Sequence, residues 1–156
     1  MSIKPISLVC ILLFLLVVVS MAQASEKGSV ADLDLDSLRW KNRVLVLFSP
    51  SESDPLFQLQ KQGLASSAQA VLDRELMILE IVEQGQGRAG NQPLSEKAVQ
   101  DIRKRLGVET GPFQVLLIGK DGGVKLRSRE PVSTKDLFGL IDSMPMRQQE
   151  MGSKKK

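Results

Sequence analysis

The sequence predicts an α/β fold in which a central four-stranded mixed sheet carries helices on both faces, in the order β-α-β-α-β-β-α. An unbroken apolar run over residues 44–48 is typical of a strand that is buried on both faces. A second apolar run, over residues 76–82, follows a helical pattern, and a βαβ unit of this kind makes the two strands parallel. The pair Asp121-Gly122 separates runs at 113–118 and 124–127, and Asp-Gly is a strong hairpin signal.

Start and stop signals place the first helix and the loop after the second strand. Asp54 is predicted to cap a helix that has Pro55 at its first position, where proline is well tolerated. Apolar residues then recur at helical spacing, which predicts that this helix continues to about residue 73. Residues 83–93 contain three glycines and are predicted to form a mobile loop.

The remaining helices have equally local signals. Ser95 begins a predicted helix that ends at Leu106, with Gly107 in the usual C-terminal capping position. Ser133 is predicted to cap the last helix, which the Met144-Pro145 pair stops.

The first 24 residues have the pattern of a signal peptide. Lys4 supplies the positive charge, residues 6–19 are almost wholly apolar, and a small-x-small pattern ends at Ala24. An uncleaved membrane anchor is the alternative, but the apolar run is shorter than the roughly 20 residues that a span requires. We therefore predict cleavage near Ala24, a mature chain from Ser25 that does not stay at the membrane, and a secreted or periplasmic location.

Composition bounds the domain organisation and excludes several functions. The 156 residues carry a net charge of +3 and contain no histidine, which removes the usual acid/base group at neutral pH and the commonest metal ligand. Nucleic acid is not an expected partner, because the chain lacks a basic helix and stacking aromatic residues. The predicted organisation is a signal peptide (1–24), a flexible lead-in (25–37), one domain (38–145) and a polar tail (146–156).

The lead-in contains an alternation of aspartate and leucine over residues 32–36. If this segment is extended, its three carboxylates share one face, and a calcium site is conceivable. An ordered calcium site needs six to eight oxygen ligands, so we favour a short edge segment. Asp36 or Ser37 would then cap a turn that brings Leu38 and Trp40 into the core.

Four segments of the sequence resemble known families. Residues 111–122 resemble the thioredoxin stretch in which a cis-proline precedes the third strand, which implies a cis Pro112 and a thioredoxin-like fold. Residues 38–51, 119–128 and 144–147 resemble an uncharacterised thioredoxin/peroxiredoxin-like domain. That domain is found in small exported bacterial proteins and in animal sushi-repeat and coiled-coil-domain extracellular-matrix proteins. The resemblance implies a fold and a location outside the cytoplasm, and it carries no settled activity.

The chain departs from the redox members of this superfamily at their active-site loop. Those proteins need a thiolate after the first strand, whereas residues 49–54 here read Ser-Pro-Ser-Glu-Ser-Asp. The only cysteine, Cys10, lies in the predicted signal peptide, so thiol chemistry is excluded for the mature chain. We therefore predict a non-catalytic binding module without a cofactor or metal, which holds an unknown protein or peptide partner. Its predicted binding residues lie in the loop and opposite it: Ser49, Pro50, Ser51, Glu52, Ser53 and Pro112.

Two other functions stay open at this stage. An anion or acidic glycan would suit the predicted edge strand, where Lys125, Arg127 and Arg129 point to one side if the strand continues. The simpler alternative is a solvated edge with a salt bridge to Glu130.

A non-redox enzyme would need a pair such as Ser49 or Ser51 with Lys120 or Lys41. Paired carboxylates such as Glu52 and Asp54 are a further possibility for acid/base chemistry. The sequence contains no diagnostic motif for either pairing.

Overall fold

A six-stranded mixed sheet forms the centre of the computed structural model, which describes residues 30–153. Its strands are β1 (Arg43–Ser51), β2 (Leu76–Gln84), β3 (Arg88–Ala89), β4 (Gln92–Pro93), β5 (Gln114–Ile118) and β6 (Val124–Ser128). They lie in the order β4-β3-β2-β1-β5-β6, with β1 parallel to β2 and the other neighbours antiparallel. The α/β class and the four-stranded centre β2-β1-β5-β6 are confirmed. The predicted signal peptide lies outside the described residues.

Helices cover both faces of this sheet. They are a 3-10 helix (Leu35–Leu38), α1 (Pro55–Ala65), α2 (Ala68–Asp73), α3 (Glu96–Leu106), α4 (Thr134–Asp142) and α5 (Pro145–Ser153). Asp54, Ser95 and Ser133 each cap a helix through a side-chain oxygen, as predicted. Gly107 ends α3 in the left-handed conformation, with φ at 60°. None of the helices within residues 30–153 is long and apolar enough to cross a membrane.

The core has two halves, and β1 contributes to both. Val44, Val46 and Phe48 pack with the 3-10 helix and the inner face of α3. Leu45 and Leu47 pack on the opposite face with α1, α2 and α4. None of these five side chains is more than 2% exposed. Because helices cover both faces, the strand needs apolar residues at every position, which explains the unbroken run.

One continuous helix over residues 55–73 was the wrong prediction. The helix breaks at Ser66 and Ser67, where the Ser67 N–H donates to the Leu64 carbonyl and Ser66 Oγ donates to the Gln62 carbonyl. Serine competes with the helix by making such local bonds to the backbone. The chain therefore turns, and α2 packs Val71 against the core at a new angle.

Residues 83–93 do not form a simple loop, so that prediction is wrong as well. β2 continues to Gln84, and β3 and β4 add a short hairpin beside it, with Leu79 paired to Ala89. Gly90 has a φ of 57° at the turn of this hairpin, a backbone conformation that glycine adopts without strain.

Two parts of the predicted flexible lead-in have regular structure within the described residues. Ala31 forms a parallel bridge with Leu94, and Asp34, rather than Asp36 or Ser37, caps the 3-10 helix. Leu38 is buried as expected, but Trp40 is 62% exposed because the chain passes through it in a left-handed conformation with φ at 64°.

The expected polar tail is also structured, since α5 spans most of it. Arg147 in this helix is only 3% exposed, although the surrounding sequence is polar. Its burial depends on ion pairs with residues that lie far away in the sequence, which are described below.

Candidate functional site

Residues 49–54 lie at the carboxyl end of β1, but the strand continues through Ser51, so Ser49 belongs to β1 and its side chain faces inward. Ser49 is 1% exposed and its backbone pairs with Val82 in β2. Its Oγ donates a hydrogen bond of 2.8 Å to the Ser51 carbonyl. Ser51 and Ser53 share a hydrogen bond of 3.1 Å between their hydroxyl oxygens. A ligand can therefore reach Ser51 and Ser53, whereas the Ser49 hydroxyl serves the fold.

The end of this loop starts α1. Asp54 Oδ1 accepts a hydrogen bond of 2.9 Å from the Phe57 N–H, which is one of the free donors of the first helical turn. The Gln58 side-chain amide donates to the Glu52 carbonyl and closes the turn. The Glu52 side chain itself is exposed. Asp54 thus has the capping role that the sequence predicts.

Pro112 lies at the same end of the sheet as this loop. The next strand, β5, begins at Gln114, which pairs with Phe48 near the end of β1. Pro112 is exposed, and every peptide bond in residues 30–153 is trans, so the expected cis-proline is wrong. The Gly111 N–H donates to Glu83 Oε1 at 2.6 Å, which holds this segment against the end of β2. The turn is thus held by a side chain, without the cis bond that the resemblance implied.

A cavity of ≈ 400 Å³ opens beside this loop, at the carboxyl end of β2. Its apolar lining comes from Val82, Leu94 and Val99, and its polar lining includes Gln86, Gln100 and Thr110. It adjoins residues 49–54, which we call the serine loop. A Cβ atom at Gly85, one of the lining residues, would lie 3.3 Å from Glu52 Oε1. The sequence does not predict this groove, because residues 83–93 are rich in glycine and are expected to form a mobile loop.

Arg103 of α3 forms one wall of the groove. Its guanidinium lies 5.1 Å from the Phe48 ring centroid and 3.8 Å from a Glu83 carboxylate oxygen. It also donates a hydrogen bond of 3.1 Å to the Glu109 carbonyl. These contacts fix the Arg103 guanidinium at the groove, and the Glu83 carboxylate balances its charge.

The predicted basic edge is already engaged within the fold. Arg127 donates to the Leu106 carbonyl at 2.7 Å, where it satisfies an acceptor at the end of α3. Lys125 pairs with Asp121 at 2.6 Å, and the pKa of that carboxyl lies below its usual value, chiefly because of this hydrogen bond. Arg129 is exposed. The anion site stays a prediction, and this arrangement adds nothing in its favour.

The three aspartates of residues 32–36 contact other side chains of the domain. Arg105 lies 2.7 Å from Asp36 and 3.9 Å from Asp34, and its hydrogen bond is the main reason why the pKa of Asp36 is lowered. Asp32 accepts a hydrogen bond from the Ser95 hydroxyl. Within residues 30–153, no group of three or more acidic, thiol or imidazole side chains is placed to hold a metal ion.

A buried ion network occupies the opposite end of the sheet, at the start of β1. Glu150 of α5 accepts bonds from Arg43 at 3.1 and 3.2 Å and lies 2.7 Å from Lys120 Nζ. Lys120 also pairs with Glu75. Arg147 lies 3.6 Å from Glu150 and connects α5 to the ends of α2 and α4. Arg43 is 1% exposed, so this network holds charges that have almost no access to water.

The network is balanced in charge. Its cations are Arg43, Arg74, Lys120 and Arg147, and its anions are Asp73, Glu75, Asp142 and Glu150. Burial has the largest effect on Glu150 and by itself would raise the pKa, but the bonds and charges of Lys120 and Arg43 outweigh it and lower the pKa. Burial likewise opposes the charge of Lys120, yet Glu150 and Glu75 raise its pKa overall. The groups therefore stay ionised because of one another.

The serine–lysine pairs considered from the sequence are not brought together. Lys120 lies in the buried network, and its carbonyl accepts from the Trp40 N–H just before β1. Ser51 lies at the other end of β1, roughly 25 Å away at about 3.3 Å per residue. Lys41 also precedes β1, so neither lysine can activate a serine of the loop.

The sheet order and the crossover of β1 and β2 define a thioredoxin/peroxiredoxin-like fold. A reduced 2-Cys peroxiredoxin of Plasmodium vivax matches it with a TM-score of 0.55 and 16% identity, over 75% of this chain and 85% of that chain. Thioredoxin peroxidase I of Plasmodium yoelii matches with a TM-score of 0.55 and 17% identity, over 75% and 80% of the two chains. At this identity the similarity shows the fold alone. The present chain has a single cysteine, Cys10, and so lacks a pair of cysteines.

The chain belongs to the family described as domain of unknown function DUF4174, whose model matches residues 34–150. Sushi repeat-containing protein SRPX2 of Xenopus laevis is 31% identical over 120 residues, and coiled-coil domain-containing protein 80 of Danio rerio is 30% identical over 133 residues. Each alignment covers 75% of this chain. The chain spans only 26% and 15%, respectively, of the length of these relatives.

Proposed function

We propose that this protein is a non-catalytic thioredoxin-like binding module that acts outside the cytoplasm and holds an extended polypeptide at the carboxyl ends of β1 and β2. The observation that supports this most directly is the groove of ≈ 400 Å³ beside the serine loop. In open α/β sheets, the crevice beyond the carboxyl ends of the strands is the usual place for a ligand. The groove and the loop are neighbours at this end, since Gly85 of the lining lies beside the Glu52 side chain.

The groove has the chemistry that a peptide backbone requires. Gln86, Gln100 and Thr110 offer side-chain donors and acceptors, and the exposed hydroxyl groups of Ser51 and Ser53 extend that row. Apolar side chains in the lining can receive alternate side chains of an extended segment. Glu83 pairs with Arg103, and Glu96 adds a second carboxylate to the lining, so the groove does not favour an acidic peptide.

The absence of suitable catalytic groups supports a binding role. Ser49 is buried and its hydroxyl is already used, and the whole sequence contains no histidine to activate another serine. If the predicted signal peptide is removed, the single cysteine leaves with it, and thiol redox chemistry is impossible in the mature chain. The same leader, together with the family resemblance, supports a secreted or periplasmic location.

A peptide-display selection against the purified protein tests the proposal. The change is Ser51→Trp, or Ser53→Trp in a second variant, because a bulky side chain there would obstruct the loop side of the groove. Ser66→Trp is the matched control, since Ser66 is an exposed serine at the far end of α1. We expect the selected peptides to bind the native protein and the control equally and to lose at least about tenfold in affinity for both loop variants.

Far-ultraviolet circular dichroism and urea denaturation establish that all three variants are folded. The proposal fails if no peptide is enriched. It also fails if peptides bind the folded Ser51→Trp and Ser53→Trp variants as tightly as the native protein.

A further inference from the structure

We propose a second binding site at the amino end of β1, which takes a carboxylate carried on a small apolar body. A cavity of ≈ 280 Å³ lies there between the start of β1, the turn from β5 to β6 and the junction of α4 with α5. It is at the opposite end of the sheet from the proposed peptide groove, and its ligand does not depend on that proposal.

Buried cations line this cavity. Arg43 is 1% exposed, and its Nε has no hydrogen-bond partner, although its two terminal nitrogens bind Glu150 and the Arg74 carbonyl. Lys120 donates to Glu75 and Glu150, which leaves one of its three N–H bonds available. Because protein atoms cover the Arg43 Nε, the spare N–H of Lys120 is the donor that a ligand oxygen could use.

The charge on the walls favours an anionic ligand. Lys125 adds a third cation at a more exposed position, and Asp121 is the only carboxylate among the lining residues. Glu75 and Glu150, which balance the network, are not part of the lining. A carboxylate entering the cavity would thus meet Arg43 and Lys120, whose acidic partners are not part of the lining. The acidic partner of Lys125, Asp121, is part of the lining.

The remaining wall explains why we infer a carboxylate with an apolar body and not a bare inorganic anion. Met144, Pro145 and Met146 form this wall, and methionine adapts its shape to different apolar partners. A phosphate ion would leave these side chains facing water. The volume is at the small end of the range for ligand pockets, roughly 300–1,000 Å³, so the ligand is a short-chain acid or the last residue of a polypeptide.

Three segments that are distant in the sequence meet at this cavity. Residues 40–43, 119–125 and 144–147 come from segments on which the family resemblance depends, and the Trp40 N–H donates to the Lys120 carbonyl. The serine loop, by contrast, contacts none of the lining residues of this cavity.

Titration of the 15N-labelled protein, followed by NMR, tests this site. The probes are sodium hexanoate, an acetylated tetrapeptide ending in leucine with a free carboxylate, and the same peptide with an amidated end. We expect saturable shifts at the amides of Gly119, Lys125 and Met146 with one or both acids, and at least about tenfold weaker binding of the amidated peptide. Binding of the peptide alone identifies a polypeptide C-terminus as the ligand, and binding of hexanoate alone identifies a free acid.

Two variants that reverse the charge of one residue complete the experiment, and one of them is the control. Lys125→Glu should weaken binding at least about tenfold, because it places a negative charge at the cavity. Arg129→Glu makes the same change in charge at an exposed residue outside the lining and should leave binding unchanged. Arg43 and Lys120 are left intact, since their replacement would disturb the fold.

The proposal is overturned if neither acid produces saturable shifts up to roughly 20 mM, a limit of weak binding. It is equally overturned if the amidated peptide binds as well as the acid, or if the two reversals have equal effects in folded protein. Shifts centred on Ser51 and Gly85 would assign the ligand to the peptide groove and refute this site.

Discussion

Replacement of Glu150 by glutamine would test whether the buried ion network holds α5 on the domain. Glu150 is the one acidic group that faces Arg43, Lys120 and Arg147 together. Glutamine keeps the size of the side chain and removes its charge. Arg43 is 1% exposed, and in the variant its guanidinium loses the carboxylate and keeps the Arg74 carbonyl as its one strong acceptor.

The expected loss in the free energy of unfolding is about 3 kcal/mol. Removing one partner of a buried ion pair costs about 3–5 kcal/mol, because the other charge stays buried without compensation. The lower value applies here, since the Glu150 side chain is 23% exposed and water can partly replace it. Lys120 and Arg147 also keep other acidic partners, Glu75 and Asp142. A domain with roughly 5–15 kcal/mol of total stability would register this change clearly.

Urea denaturation followed by far-ultraviolet circular dichroism measures this loss. Glu130→Gln is the matched control, because Glu130 is exposed and its side chain has no ion pair in the described part of the chain. We expect the control to remain within about 0.5 kcal/mol of the native protein. A loss below about 1 kcal/mol for Glu150→Gln would refute the reasoning, since the network would then contribute no more than surface pairs do.

The same network predicts a dependence on acid pH. The folded pKa of Glu150 is lowered from its ordinary value of 4.5, so its contribution to stability is fully present above that value. The contribution is lost as the pH falls through the folded pKa. The urea midpoint of the native protein should therefore fall below pH 4.5 more steeply than that of Glu150→Gln. Parallel curves for the two proteins would contradict the charge argument.

Three further changes test other parts of the fold. Asp54→Ala should lower the free energy of unfolding by about 1 kcal/mol in urea denaturation, because the Phe57 N–H loses its acceptor, and Asp54→Asn should restore most of it. Trp40→Gly should stabilise the protein by up to about 1 kcal/mol, since a left-handed backbone costs a non-glycine residue about 1–2 kcal/mol, whereas Lys41→Gly should give no gain. The raised pKa of Lys120 makes its stabilising charge fully present below pH 10.5 and lost above it, so the urea midpoint should fall at higher pH, and a flat profile would exclude this role.

Local signals predicted much of the fold correctly. Asp54, Ser95 and Ser133 cap their helices, and Gly107 ends α3, because each of these bonds joins residues no more than a few positions apart. The apolar run of β1 predicted a strand covered on both faces, and both faces are covered. Residues that decide such features are neighbours in the sequence, so no knowledge of the fold is needed to recognise them.

Other local patterns were ambiguous. Apolar residues kept their helical spacing through Ser66 and Ser67, so the break between α1 and α2 was not visible in periodicity alone. The short hairpin of β3 and β4 consists of glycine-rich sequence that resembles an ordinary loop, and it becomes ordered because β2 offers an edge for pairing.

The candidate sites likewise combine features that the sequence predicted with features that only the tertiary structure shows. The sequence located the serine loop and Pro112 at one end of the sheet, and they do lie there. It did not reveal that Ser49 faces inward, that Arg127 completes the end of α3, or that Pro112 is trans. Each of these depends on how elements that are distant in the sequence pack together, as when Arg127 reaches the Leu106 carbonyl.

The sequence by itself determined the α/β class, the central strands, the helix caps and the serine loop that stands where redox relatives need a thiolate. Only the tertiary structure decided that a polar C-terminal segment becomes a helix and that a second cavity exists. Arg43 and Glu150 are 107 positions apart, and nothing near either residue indicates that they pair. Caps and apolar periodicity act over a few residues, whereas a buried charge finds its partner only when the whole chain has returned to enclose it.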